Sequence, residues 1–150
     1  MNILQLEYPL YYKELIALGH RVISCGTDPG CDIWIDPVVY SYETIRSRLP
    51  ADFIPDVILV CESLMKRRFP DLTDSKLPLV FYSIDGHMHF DWHVRYGRQF
   101  DLIISSQQDI AEKFKQLGND AHWLPWSYTA GIKPFYGERR PIDIGIVGSF

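Results

Sequence analysis

The apolar residues of this chain fall into short runs of strand length, separated by polar segments and turns. The run at residues 78–84 is apolar at successive positions and rich in β-branched and aromatic side chains, which is typical of a strand covered on both faces. It predicts a central, parallel strand. Similar runs predict strands at residues 3–6, 20–25, 56–61, 101–105 and 122–124. Residues 32–36 form either a short extra strand or an ordered connection.

Helices are predicted between these strands from their start and stop residues. Pro9 suits the first position of a helix that Gly19 ends, and Ser41 and Ser106 suit the N-caps of two further helices. Because strands and helices alternate, the sequence predicts an α/β fold with a doubly wound, mainly parallel, Rossmann-like sheet. The turn after the first strand, residues 7–9, contains no glycine, so it lacks the phosphate-binding fingerprint of dinucleotide-binding folds.

The last part of the chain has a different pattern. Residues 125–141 contain several prolines and no periodic pattern, as a linker does, and residues 142–150 begin a fresh strand that runs into a Gly-Ser turn. We therefore expect a Rossmann-like domain at residues 1–124, a linker at 125–141, and the first strand and turn of a second α/β domain at 142–150.

Composition narrows the class of protein. The chain is 47% hydrophobic and 23% charged with a net charge of −4, which is typical of a soluble globular protein and gives no general attraction to nucleic acid or anionic lipid. Cys25, Cys31 and Cys61 form no CxxC pair and are expected to be free thiols in a reducing compartment. No apolar run is long enough to span a membrane, and the first residues lack the basic segment followed by a long apolar one that is typical of a signal peptide. These features predict a cytoplasmic location.

The segment after the central strand carries the candidate chemistry. Asp85, His87, His89, Asp91 and His93 are spaced by two, and each side chain can hold a proton or a metal. Ligands of open α/β sheets bind outside the carboxyl ends of the strands, which is where this segment begins. An extended loop would place all five side chains on one side. A helix that starts near residue 90 would instead place two histidines one turn apart.

Four segments, taken in order, resemble a known family. They are residues 82–87 (YSIDGH), residues 100–105 (FDLIIS), the helix end at 117–118 with residues 123–125, and residues 143–149 (DIGIVGS). Together they resemble the amino-terminal half of CgeB-like, spore-maturation type glycosyltransferases of the two-domain GT-B architecture. The resemblance covers residues 56–150 most clearly.

The resemblance implies two Rossmann-like domains that face each other across a cleft, the first binding a hydroxyl acceptor and the second a nucleotide-sugar donor. It also implies transfer without a catalytic metal or other cofactor. Asp85 and His87 are then the candidates for proton abstraction or acceptor binding. Further acceptor-binding candidates, from their positions at strand ends or near the linker, are Glu62, Ser63, His89, Trp126 and Tyr128, and donor-side candidates are Gly148 and Ser149. Most of the donor site would lie beyond residue 150, so the 150-residue chain alone is expected to be inactive.

Each candidate also has an ordinary structural interpretation. Asp85 can cap the next turn, Asp91 and His93 can face solvent, and the aromatic residues near the linker can serve packing. Two other functions stay open. One is a metal-dependent hydrolase or metal-binding α/β module that uses Asp85, His87, His89 and His93. The other is a non-catalytic α/β binding domain.

Overall fold

The computed structural model describes residues 1–35, 41–62 and 70–125. The predicted linker after its first residue, the predicted start of a second domain, and five of the candidate site residues lie outside these ranges. Those five are Ser63, Trp126, Tyr128, Gly148 and Ser149.

A single seven-stranded sheet organises the described part of the chain. All its neighbouring strands pair in parallel, in the order β3-β2-β1-β4-β5-β6-β7. The strands are β1 (Asn2–Glu7), β2 (Arg21–Gly26), β3 (Ile33–Trp34), β4 (Val57–Cys61), β5 (Leu79–Ser83), β6 (Leu102–Ser105) and β7 (Ala121–Trp123). The predicted parallel, Rossmann-like α/β fold is therefore confirmed. The segment at residues 32–36, for which the sequence allowed a strand or a connection, contains the short strand β3 at the sheet edge. The run at residues 78–84 forms β5, an inner strand that lies beside the middle strand, β4.

The strand order reverses between β1 and β4. The chain builds the sheet outward from β1 to β3, returns to place β4 on the other side of β1, and then continues outward to β7. Right-handed crossovers put the helices of the two halves on opposite faces of such a sheet. The carboxyl ends of β1 and β4 consequently form the switch point where a ligand crevice is expected.

The core lies on both faces of the sheet because inner strands bury side chains of both parities. Val60, Phe81 and Ile103 belong to the larger cluster, whereas Cys61 and Tyr82 belong to a smaller cluster. In the larger cluster, four rings surround the ring of Phe81 at centroid distances of 5.2 to 6.4 Å. They belong to Phe100, His93, Tyr96 and Trp92.

Four helices are described: α1 (Tyr12–Ala17), α2 (Tyr42–Arg46), α3 (Gly86–Gly97) and α4 (Gln108–Gln116). Ser41 caps α2 as predicted, since its Oγ accepts a hydrogen bond from Thr44 N at 3.3 Å. Pro9 does not begin α1, because Tyr11 takes a left-handed conformation (φ 60°) directly before the helix. Ser106 does not cap α4, because its hydroxyl donates to the carbonyl of Ile84 instead.

The segment with the five spaced polar residues is helical rather than extended. It forms α3 from Gly86, with one kink at His89, whose φ and ψ are −128° and 19°. Gly86 is required at the start of this helix. A Cβ at that position would lie 2.6 Å from Cγ2 of Ile110 and 3.0 Å from Oγ of Ser83, so only glycine lets α3 begin so close to α4.

Other expectations concern the thiols and the membrane. The three cysteines are free, and burial raises the pKa of each thiol to about 12. Within residues 1–35, 41–62 and 70–125, no helix is both long and apolar enough to cross a membrane.

Candidate functional site

Buried polar side chains of the described residues gather at the carboxyl edge of the sheet. Glu7 ends β1, Glu62 follows β4, Ser83 ends β5, and Ser105 ends β6, with Ser106 directly after it. All five are buried. Burying a polar group costs free energy unless the group is hydrogen-bonded. The concentration of these side chains along one edge therefore makes that edge the candidate functional site.

Glu62 supports the turn that leads from β5 into α3. Its Oε2 accepts hydrogen bonds from the backbone N–H groups of Ile84 at 2.8 Å and Asp85 at 2.9 Å. Only 1% of Glu62 is exposed. The expected direct role in acceptor binding needs a carboxylate that faces solvent, and this one instead fixes the backbone on which Asp85 is carried.

His93 lies behind the same turn and is completely buried. Its Nδ1 is 2.8 Å from Oγ of Ser83, and its Nε2 is 3.1 Å from Oε1 of Glu62, close enough for an ion pair although not aligned as a hydrogen bond. With the ring proton on Nε2, facing the carboxylate, the Ser83 hydroxyl donates to Nδ1. The interpretation of His93 as a solvent-facing residue is therefore wrong.

Glu62, His93 and Ser83 are the residue types of a hydrolase triad, but their burial excludes that chemistry. The hydroxyl of Ser83 is 0% exposed, so no substrate carbonyl can reach it. The three side chains instead tie together the ends of β4 and β5 and the middle of α3. Through Glu62 they fix the backbone of Ile84 and Asp85, which carries the candidate site.

The charge state of Glu62 follows from competing effects. Burial raises the pKa of its carboxyl, but the adjacent His93 ring and the two backbone N–H groups favour the ionised form more strongly. The net result is a pKa below the ordinary value of 4.5. Glu62 is therefore a carboxylate at neutral pH, buried beneath the edge of the sheet.

Asp85 is the partly exposed carboxylate of this edge. It precedes the first residue of α3, with φ −104° and ψ 44°, yet its side chain makes no capping hydrogen bond to the helix. Within the described part of the chain its carboxylate takes part in no hydrogen bond or ion pair. The capping role that was the alternative for Asp85 is thus absent, and the carboxylate remains able to accept a proton or a hydrogen bond from a ligand.

His87 is exposed on the first turn of α3 and is held by Gln107, the residue before α4. The backbone N–H of His87 donates to Oε1 of Gln107 at 3.1 Å, and Nδ1 of its ring lies 2.5 Å from Nε2 of the same amide. Gln107 was not among the predicted site residues. The Ser105-Ser106-Gln107 run at the end of β6 was the available signal, because it places polar side chains at the same edge as Asp85.

A surface depression of about 430 Å³ lies along the start of α3. The depression is lined by His87, His89 and Asp91. Its other lining side chains are those of Met88, Phe90, Trp92 and Arg95. His89 is half-buried, with its ring centroid 6.2 Å from that of His93, whereas Asp91 is exposed. His87, His89 and Asp91 thus share one depression, while His93 is separated from it by burial.

The helix changes the metal hypothesis, since the five polar side chains do not converge as an extended loop would have allowed. Among residues 1–35, 41–62 and 70–125, no group of three or more His, Cys, Asp and Glu side chains is arranged to hold a metal ion.

Glu7 is a further residue of this edge that sequence reasoning missed. It takes a left-handed conformation (φ 71°), and a Cβ on Gly26 of the neighbouring strand would lie 2.7 Å from its carbonyl oxygen. A non-glycine residue in this conformation is strained, and such strain occurs often at functional sites. Gly26 directly after the second strand's apolar run was the one signal of this close approach.

The fold and the polar carboxyl edge together define an α/β protein with a Rossmann-like parallel sheet and a candidate ligand site around Asp85 and His87. Comparison with known proteins adds no closer assignment: no protein-family model, no curated protein and no solved structure matches the chain.

Proposed function

We propose that this chain is the acceptor-binding, amino-terminal domain of a nucleotide-sugar-dependent glycosyltransferase of the two-domain GT-B type. In this proposal the acceptor hydroxyl binds at the carboxyl edge of the sheet, beside Asp85 and His87. The donor is held by a second α/β domain, which begins near residue 142.

One observation carries the proposal: the partly exposed carboxylate of Asp85, just after an inner parallel strand, makes no hydrogen bond or ion pair with the residues that the structure describes. Its backbone N–H is fixed by the buried carboxylate of Glu62, at 2.9 Å, but its own side chain caps nothing. A carboxylate that is carried on a fixed backbone and makes no bond to the described residues is suited to accept a proton from a hydroxyl group. The resemblance of residues 82–87 and 100–105 to the acceptor-side half of these transferases supports the same assignment.

The depression that begins two residues after Asp85, at His87, suits a sugar-like ligand. His87 offers a ring nitrogen, and Trp92 and Phe90 line the same depression with aromatic surface. Aromatic faces pack against the apolar faces of sugar rings, while imidazole and carboxylate groups bond their hydroxyls. Arg95 contributes a positive charge at the rim.

The test is turnover of nucleotide sugars by the longer protein that this proposal implies, in which the second α/β domain is complete. Release of free nucleotide would be measured over a panel of uridine, guanosine, cytidine and thymidine sugar nucleotides, with and without simple sugar acceptors. We expect acceptor-stimulated release with at least one donor. Replacing Asp85 by Asn should lower kcat at least about 100-fold, because general base catalysis contributes roughly 10²–10⁴-fold.

The matched control is Asp120→Asn, which removes an exposed carboxylate directly before β7, at the opposite edge of the sheet. It should change kcat by less than about threefold, since Asp120 is exposed and lies away from the candidate site. Absence of turnover with every donor, in protein that is folded by circular dichroism, would refute the proposal. Equal losses in the two variants would refute the role of Asp85.

A further inference from the structure

The hydrogen bonds between His87 and Gln107 define which nitrogen of the His87 ring carries the proton. The backbone N–H of His87 can only donate, so the atom of the Gln107 amide that faces it at 3.1 Å must be the oxygen. The amide nitrogen is then the atom that lies 2.5 Å from Nδ1 of the ring. Flipping the amide would set a donor against a donor at the backbone contact, so the usual ambiguity of a glutamine side chain is removed here.

The amide nitrogen of Gln107 donates, and Nδ1 of His87 must therefore accept. A neutral imidazole carries one proton, and with Nδ1 as the acceptor that proton lies on Nε2. The nitrogen on the far side of the ring from Gln107 is consequently a hydrogen-bond donor.

The geometry that brings the two side chains together is built into the fold. Gly86 lets α3 start in contact with Ile110 of α4, and Gln107 is itself held where its backbone N–H donates to Oγ of Ser105 at 3.2 Å. The contact therefore joins the ends of β5 and β6 through residues whose backbones are fixed at both sides.

We propose that Gln107 is a positioning residue that holds His87 in the Nε2–H form, so that His87 presents a hydrogen-bond donor to an acceptor oxygen of the ligand. The tautomer follows from the structure alone, whereas the role toward a sugar hydroxyl rests on the proposed function. In that role the two candidates divide the chemistry: Asp85 accepts the proton of the reacting hydroxyl, and His87 donates to a neighbouring ligand oxygen. This differs from the expectation that either residue could act as the base.

The variant Gln107→Glu tests the tautomer. A carboxylate has no proton to donate. At position 107 it can still accept the hydrogen bond from the backbone N–H of His87, but it can bond to the ring only if Nδ1 carries a proton. Long-range ¹H–¹⁵N correlation spectra of histidine-labelled protein distinguish the protonated, pyrrole-type nitrogen from the unprotonated, pyridine-type one. Spectra would be recorded over a pH series, and the form with one nitrogen of each type, which is the neutral ring, would be compared between the proteins.

In the wild-type protein we expect Nδ1 of His87 to be pyridine-type and Nε2 pyrrole-type. In Gln107→Glu we expect Nδ1 to become pyrrole-type. The matched control is Gln108→Glu, which adds the same charge one residue later at an exposed position and should leave the His87 spectrum as in wild type. Nδ1 that stays pyridine-type in Gln107→Glu, or that is already protonated in wild type, would overturn the proposal.

The same variant separates this inference from the proposed function. If the tautomer changes as expected and the longer protein turns over nucleotide sugars, Gln107→Glu should raise KM for the acceptor at least about tenfold, since the donor facing the ligand is lost. A changed tautomer with an unchanged KM would overturn the role of His87 toward the ligand. A changed tautomer in a protein that turns over no nucleotide sugar would refute the glycosyltransferase assignment and leave the positioning by Gln107 in place.

Discussion

Replacing Glu62 by alanine should destabilise the protein more than any surface substitution, because the carboxylate is buried, accepts two backbone hydrogen bonds and lies within ion-pair distance of His93. The change leaves the backbone N–H groups of Ile84 and Asp85 without their acceptor, and leaves Nε2 of His93 without the nearby carboxylate. Removing one partner of a buried charged network costs about 3–5 kcal/mol. Since small domains have only about 5–15 kcal/mol of stability in total, this is a large fraction.

Replacing Glu62 by glutamine should cost much less, for a geometric reason. Both backbone N–H groups bond to the same carboxylate oxygen, Oε2, so the single oxygen of a glutamine amide can take its place. The amide NH₂ then faces Nε2 of His93, and the ring can move its proton to Nδ1 and donate to Ser83. Only the contribution of the charge to these bonds is lost, about 1–2 kcal/mol.

Urea unfolding followed by far-ultraviolet circular dichroism measures both changes, with unchanged m-values as the sign that the unfolded states are comparable. Glu112→Ala is the control: Glu112 is exposed on α4 and pairs with Lys115 at 2.9 Å, so its loss should cost less than about 1 kcal/mol. A cost below about 1 kcal/mol for Glu62→Ala would refute the described network. So would equal costs for the alanine and glutamine variants, because they would show that the retained amide oxygen does not replace Oε2.

Two further predictions follow from the same edge of the sheet. Folding lowers the pKa of Glu62 below its ordinary value of 4.5, so its contribution to stability is fully present above about pH 4.5 and is lost as the pH falls through the lower folded-state pKa. The urea midpoint should therefore drop more steeply on acidification in the wild-type protein than in Glu62→Gln. Parallel curves for the two proteins would contradict this. Gly86→Ala should lower the free energy of unfolding by about 1–3 kcal/mol, measured by thermal unfolding, because the new Cβ would lie 2.6 Å from Cγ2 of Ile110. In a double-mutant cycle, Ile110→Ala should reduce the cost of Gly86→Ala, because it removes the clashing methyl group. Additive costs of the two substitutions would refute the contact.

Most of the sheet could be predicted from the sequence, since strands buried on both faces have continuous apolar runs, and the short length and β-branched residues of these runs favour strands over helices. The runs at 56–61 and 78–84 lie within a residue or two of β4 and β5. Helix starts were harder to predict. Pro9 is compatible with the first turn of a helix, but the left-handed Tyr11 that precedes α1 depends on contacts that the local sequence does not contain.

The site was predicted in part. The rule that ligands bind at the carboxyl ends of parallel strands identified Asp85, His87 and Glu62 as neighbours on one edge. Spacing by two, however, does not distinguish an extended segment from a helix when polar and apolar residues alternate throughout, as they do at residues 87–96. The burial of His93 depends on a partner 31 positions earlier in the chain, Glu62, and no local pattern reveals such a pair.

Acceptor binding at the carboxyl edge is tested most directly by amide chemical-shift mapping on the ¹⁵N-labelled chain. The titrants are the hydroxyl acceptors that stimulate nucleotide-sugar turnover in the longer protein, with the non-stimulating members of the panel as negative controls. We predict saturable shifts at Asp85, His87 and Gln107, and none at Leu18 or Leu117, which lie exposed at the opposite edge. Saturable shifts confined to that opposite edge, or none at Asp85, His87 and Gln107 with any stimulating acceptor, would contradict acceptor binding at this site.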